Sequence, residues 1–197
     1  MFKSGRSVLA AALIALPFGV SADLSKVPSG VYKLDNSHAY ITFTYSHLGF
    51  SNPRVGFNSF ETMLDLDTDD PEASTIDVVI DATSIDSRVA DFNEHLNSSD
   101  FFNTAEYPKI TFESTRIETT GDNTFNVTGD LTILGTTKSV TLAATINKAD
   151  NHPMRNVPTV GVSATTTLMR SDWGLGAYVP AVGDEVELSI EVELLMQ

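Results

Sequence analysis

The sequence predicts an all-β domain of antiparallel strands. Three observations carry that prediction. Apolar and polar residues alternate through about nine segments, turn-forming residues separate those segments, and a single stretch departs to a helical period. A strand sends successive side chains to opposite faces, so alternation marks a sheet with one oily face and one wet face.

The first residues stand outside this pattern. Lys3 and Arg6 precede an unbroken apolar run over residues 8–16, too short to span a bilayer as a helix, and Val20-Ser21-Ala22 offers small residues for cleavage. Residues 1–22 therefore read as a secretory signal peptide, leaving 23–197 as one domain. Val31-Tyr32-Lys33-Leu34 starts the pattern, and Ala39, Ile41, Phe43, Tyr45 and His47 then alternate with Tyr40, Thr42, Thr44 and Ser46. Phe60, Thr62, Leu64 and Leu66 form the next oily face, followed by Ile76, Val78 and Ile80. Residues 87–99 place Val89, Phe92 and Leu96 at spacings of three and four, the period of a short helix. Alternation resumes with Ile110 and Phe112, then Phe125, Val127, Gly129, Leu131 and Ile133. Val140 to Ile146 and Val160 to Leu168 follow, and Val186, Leu188, Ile190, Val192 and Leu194 alternate with glutamates at the end. Asn52-Pro53, Asp69-Asp70-Pro71, Gly121-Asp122-Asn123, Leu134-Gly135-Thr136 and Asn151-His152-Pro153 punctuate the strands. The pattern leaves two architectures open, a two-sheet sandwich or a closed barrel of about eight strands.

Charge and composition exclude several functions. The chain carries 26 acidic against 12 basic residues, a formal −14. Removal of the signal takes two of the basic residues and none of the acidic ones, leaving −16. Such a chain is repelled by phosphate backbones, so no nucleic-acid partner is expected. There is no cysteine, which removes disulfides, thiolate nucleophiles and Cys-held metals.

Catalytic signals are sparse. Asp65, Asp67 and Asp69 have the spacing that begins a calcium loop. Asp70 stands where that loop needs glycine, and Ile76 where it needs its closing glutamate, so an acidic turn is expected. His38 and His47 lie an odd number of residues apart on one predicted strand, hence on opposite faces, and His95 and His152 belong to other elements. No metal site, nucleophile elbow, phosphate loop or paired inward carboxylates follows from the sequence. His47 shares the inward parity of Phe43 and Tyr45.

Four stretches in order, "GVYKLDNSHAYITFTYSHLGFSNPRVGFNSF", "HLNSSDFFNTAEYPKITFES", "VTGDLTILGTTKSVTL" and "RSDWGLG", resemble signatures of the YceI-like family of bacterial polyisoprenoid-binding proteins. The resemblance runs from about Gly30 to Leu194. It implies an extended, lipocalin-like antiparallel β-barrel with a helix near its opening. It further implies an apolar tunnel for an isoprenoid lipid such as ubiquinone, or for a fatty amide, in a periplasmic carrier with no enzymatic activity and no cofactor. Under that reading Phe43, Tyr45, Phe60, Leu64, Val78, Phe112, Phe125, Leu131, Leu188 and Ile190 would line the tunnel. Phe92, Leu96 and Phe101 would do so near the helix, Trp173 would also touch the ligand, and His47, Arg170 and Asp172 would stand near its head. The chain departs from the family's habit at Leu134 and Asn97, where arginine is frequent, and at Trp173, where phenylalanine is common. A pyrophosphate head needs cations at the mouth, so the missing arginines favour a neutral head. Transient membrane contact is consistent with a carrier, and an exposed edge strand would allow a homodimer. Two other readings stand beside the carrier: a protein-interaction or stress-response module whose barrel is packed by its own side chains, and a lipid-modifying enzyme.

Overall fold

The computed structural model describes residues 22–197, so the expected signal peptide lies outside the described residues except for Ala22. Among the described residues there are ten strand segments: β1 (Gly30–His47), β2 (Arg54–Phe57), β3 (Phe60–Leu66), β4 (Thr75–Asp81), β5 (Ile85–Asp86), β6 (Lys109–Gly121), β7 (Thr124–Ile133), β8 (Thr136–Asn151), β9 (Pro158–Met169) and β10 (Val182–Met196). One α-helix, α1 (Ala90–Asn97), interrupts them. Neighbouring strands are antiparallel, in the order β10-β9-β8-β7-β6-β4-β3-β1-β2-β5. A further ladder from Tyr32↔Met196 to His47↔Val182 joins β1 to β10 and closes the sheet on itself.

The ten segments make eight staves. β3 pairs with the first part of β1, at Gly30↔Leu66, and β2 with the later part, at Ile41↔Phe57, so both lie along the same edge of β1. β4 and β5 follow them in the same way, through Phe60↔Ile80 and Phe57↔Ile85. The two interruptions hold each other: the Asn58 N–H donates to the Ser84 carbonyl at 3.2 Å, and the Ser59 N–H to Ser84 Oγ at 3.0 Å. The barrel is thus a closed eight-stranded one. Its closure pairs both long edges with each other, so the edge strand that would allow a homodimer is not among the long strands of the described residues.

β1 contains a bulge. Leu34 pairs with Leu194 and Ala39 with Val192, so residues 35–38 stand opposite a single residue of β10. The bulge turns Asp35 into the structure, where it is 7 % exposed. Its carboxylate accepts the Ser37 N–H at 3.1 Å and the Ser37 hydroxyl at 2.7 Å, and meets His38 Nδ1 at 3.1 Å. Arg155, in the β8–β9 turn, reaches the same carboxylate at 2.8 Å. The bulge and the turn are thereby pinned together. Burial pushes the Asp35 pKa up, but the bonds from Ser37 and His38 and the charge of Arg155 outweigh it and hold the carboxyl well below the usual range.

Asp35→Asn keeps the size and removes the charge, and should cost about 2 kcal/mol at neutral pH. A carboxyl with a lowered folded pKa stabilises when ionised. Its contribution is complete above about pH 4, the ordinary aspartate value, and is lost as pH falls through the lower folded value. Urea midpoints of the two proteins should differ at pH 7 and begin to converge below about pH 4.

The barrel is densely filled at one end. Tyr32, Leu64, Leu66, Ile117, Phe125, Val127, Val160, Val192 and Leu194 are buried there, and the Tyr32 hydroxyl donates to the Pro28 carbonyl at 2.6 Å. The turn after β3 is the acidic turn the sequence suggested: Asp67 Oδ1 accepts the N–H groups of Asp69 and Asp70 at 2.9 and 3.0 Å. Asp35, His38 and Glu193 lie close enough to share an ion, but the Arg155 guanidinium already pairs with the Asp35 carboxylate.

Candidate ligand-binding cavity

The other half of the barrel is hollow. A cavity of 510 Å³ opens between α1 and the β9–β10 loop. Protein interiors rarely leave voids larger than a water molecule, so this one is set by particular residues. Its walls are Ile41 and Phe43 of β1, Val78 and Ile80 of β4, Ile110 and Phe112 of β6 and Leu131 and Ile133 of β7. Val140 and Leu142 of β8, Leu168 of β9 and Val186, Leu188 and Ile190 of β10 complete them. Register sets the depth. Inward residues one step further along each strand, such as Ala39, Ala144 and Val192, no longer line the space. At this boundary Phe112 lies over Gly129: a methyl group there would come within 2.5 Å of both the Phe112 ring and the Glu113 carbonyl. Glycine at 129 lets the ring lie flat across the barrel.

The mouth is aromatic. α1 starts where Asp86 Oδ1 accepts the Arg88 N–H at 2.7 Å and Asn93 Oδ1 accepts the Ser87 N–H at 2.7 Å. It ends where the Ser98 N–H and hydroxyl donate to the His95 carbonyl. Asn97 is turned away from any ligand: its Oδ1 accepts the Thr104 hydroxyl at 2.7 Å and its Nδ2 donates to the Asn93 carbonyl at 2.8 Å. Phe92, His95 and Leu96 face the cavity, and His95 packs edge-on against Phe101 at 4.8 Å. Tyr178 reaches over from the β9–β10 loop to within 6.3 Å of Phe101. His95 escaped the sequence reading, although its spacing of three from Phe92 places it on the same helix face.

Arg170 lines the cavity but is committed elsewhere. Its Nε donates to the Gly183 carbonyl at 2.8 Å, and Nη2 donates to those of Ala177 and Val182 at 2.9 and 3.1 Å. Nη1 donates to the Leu175 carbonyl. One guanidinium thus ties down the loop over residues 174–183. Burial lowers its pKa from the ordinary arginine value, against the pull of Asp184 and Tyr45. The role expected for it, a polar partner for a ligand's head, gives way to that of a loop clamp.

Of the residues singled out in the sequence, Phe43, Tyr45, His47, Val78, Phe92, Leu96, Phe101, Phe112, Leu131, Arg170, Trp173, Leu188 and Ile190 line the cavity. Phe60, Leu64 and Phe125 are buried without lining the cavity: Phe60 pairs with Ile80 behind its wall, and Leu64 and Phe125 lie in the filled half. Asp172 lies outside, half-exposed, with Lys138 Nζ 3.6 Å from its carboxylate. Trp173 closes one wall and donates Nε1–H to the Leu131 carbonyl at 3.2 Å.

Residues 32–194 match the YceI-like domain. The chain belongs to the YceI-like family. It is 33 % identical over 188 residues to a UPF0312 protein of Ectopseudomonas mendocina, covering 94 % of this chain and 98 % of that one. It is 36 % identical over 168 residues to Protein YceI of Escherichia coli, covering 84 % and 87 %. Among solved structures, Campylobacter jejuni YceI protein aligns with a TM-score of 0.71 and 28 % identity, over 77 % of this chain and 90 % of that one. A polyisoprenoid-binding domain from Saccharophagus degradans shares the fold, with a TM-score of 0.67 and 14 % identity over 84 % and 98 %. The closed eight-stranded barrel with one helix at its mouth is the lipocalin-like fold of the YceI-like family. Of the two positions where the resemblance implies arginine, 97 holds an asparagine that hydrogen-bonds at the helix end. Position 134 holds a leucine packed against the core in a tight turn, where Leu134 and Gly135 both take positive φ, 50° and 69°.

Proposed function

We propose that this YceI-like protein is a periplasmic carrier that holds an isoprenoid-type lipid by its tail, with a neutral head such as a quinone or an amide left at the mouth. The observation that carries the reading is an apolar cavity with no polar group waiting inside it. Among the described residues, no buried side-chain nitrogen or oxygen lacks a hydrogen-bond partner. Thr166 and Trp173 line the cavity, yet they donate to the Thr141 and Leu131 carbonyls. A ligand deep in the barrel therefore finds only hydrocarbon and aromatic rings. At roughly 24 cal/mol per Å³, a dry void of 510 Å³ would cost on the order of 10 kcal/mol, comparable to the whole stability of a domain. A chamber of this size is better explained by an occupant than by the packed-barrel reading. The assignment contains no chemical step.

The head is assigned by electrostatics. The cavity's own cation, Arg170, gives four of its five N–H groups to backbone carbonyls. Tyr45, His47, His95 and Tyr178 are the polar side chains at the mouth, suited to a carbonyl or hydroxyl rather than to a pyrophosphate.

The energetics favour exchange over storage. Each CH₂ moved from water gains roughly 0.8 kcal/mol, so a tail of about forty carbons would gain about 30 kcal/mol against water, beyond the ceiling of known affinities. Its natural reference is a membrane, which is equally apolar, so barrel and bilayer compete on near-even terms.

Competition between two lipids of equal tail length tests the head assignment. The quinone-headed lipid should displace the pyrophosphate-headed one at stoichiometric concentration, with little change on adding salt. Tight, salt-sensitive binding of the pyrophosphate lipid would reverse it.

A further inference from the structure

The mouth carries an apolar surface that extends outward beyond the cavity. Phe50, in the β1–β2 turn, is 89 % exposed, and Leu48, Tyr178 and Val179 are also exposed. These residues come from two loops fastened side by side. His47 pairs with Val182, and the Leu48 N–H donates to the Ala181 carbonyl at 3.1 Å. The β9–β10 loop is further fixed by the Arg170 guanidinium, so its apolar residues are held out in a set position.

Charge separates this side of the mouth from the other. In a chain of formal charge −14, residues 47–57 contain no carboxylate and carry His47 and Arg54, and residues 173–183 contain no charged residue at all. On the α1 side, residues 86–106 carry Asp86, Asp91, Glu94, Asp100 and Glu106 against Arg88 and His95. One half of the rim is oily and free of carboxylates; the other half is acidic. Leu48 and Tyr178 belong both to the oily rim and to the cavity lining, so apolar surface runs unbroken from outside to inside.

We propose that this half-rim, with Phe50 and Val179 at its tip, docks the protein on the surface of a neutral lipid bilayer. The inference rests on the carrier reading and adds where the cargo enters and leaves. An exposed apolar patch continuous with a ligand chamber marks an interaction surface, and apolar side chains sink into the headgroup boundary in proportion to the area they bury. The absence of carboxylates from residues 47–57 and 173–183, between Asp172 and Asp184, removes the desolvation cost that keeps the rest of the molecule off a membrane. With the oily half-rim down, the acidic α1 side stays in water.

Flotation with phosphatidylcholine vesicles tests the surface directly. Phe50 and Val179 do not line the cavity, so Phe50→Ser with Val179→Ser leaves the ligand chamber intact. The double variant should reduce the vesicle-bound fraction by about tenfold or more. Met154→Ser, which removes an equally exposed residue from the β8–β9 turn at the filled end, should leave it unchanged. Binding should be insensitive to salt and weaker on vesicles rich in phosphatidylglycerol. No flotation of the unaltered protein, or equal flotation of the double variant, would overturn the proposal. So would a concentration-dependent dimer in sedimentation that the double variant abolishes, because a second copy would then cover the rim. Binding of a short-chain quinone in vesicle-free solution separates the two readings. Failure there removes the carrier assignment, whereas normal binding there with no vesicle contact removes only the docking surface.

Discussion

Val78→Trp is expected to empty the barrel. Val78 projects into the cavity from β4, beside Phe112 on β6 in the ladder register. An indole at that position fills the space above the Phe112 ring with the protein's own atoms. Protein purified from its own cells should then carry lipid in fewer than about one copy in ten, by native mass spectrometry against the unaltered chain; an occupied chamber cannot accept a tail. The thermal midpoint should be unchanged or raised, because a filled void regains the dispersion contacts its lining lacked. Undiminished lipid in a folded variant would mean that the cargo sits elsewhere.

Arg170→Lys is the second large effect. An ammonium has the charge of the guanidinium without its planar fork, and it cannot reach four carbonyls in four directions. The variant should lose about 2–4 kcal/mol in urea unfolding, since bonds from a charged donor to backbone carbonyls are each worth about 1.5–3 kcal/mol and some are re-formed with water. Lipid occupancy should fall with it, because the loop over residues 174–183 supplies Leu175, Tyr178 and Ala181 to the cavity. Asp172→Asn, two residues away, removes an exposed ion pair and should change stability by less than about 0.5 kcal/mol. Equal effects at 170 and 172 would show that Arg170 is not a clamp.

The contrast between these two residues also shows what the sequence could reveal. Alternation is a statement about faces, and burial on one face only makes it readable. The nine alternating segments became eight staves because residues 31–34 and 39–47 are one strand, broken in pattern by the Asp35 bulge. β2 and β5 went unread: four and two residues are too short for a period to declare itself. Period says nothing about height along the barrel. Phe60, Leu64 and Phe125 share the inward face with Phe43 and Phe112, yet register carries Leu64 to Tyr32 and Phe125 to Ala144, in the filled half. The last strand shows the same division. Val186, Leu188 and Ile190 line the cavity, while Val192 and Leu194 pack into the core. Arg170 was legible as a cation near the mouth, but its partners are backbone carbonyls, which no side-chain motif announces. His95 was legible from its helical spacing to Phe92 once the helix itself had been placed.

Native mass spectrometry of the unaltered protein, purified without detergent from its own cells and followed by organic extraction, decides whether the chamber holds a lipid. One bound lipid per chain is expected, with an apolar isoprenoid tail and an uncharged head. An unliganded mass that stays unchanged after incubation with quinones and polyprenols would contradict it, and would leave the 510 Å³ chamber without an occupant.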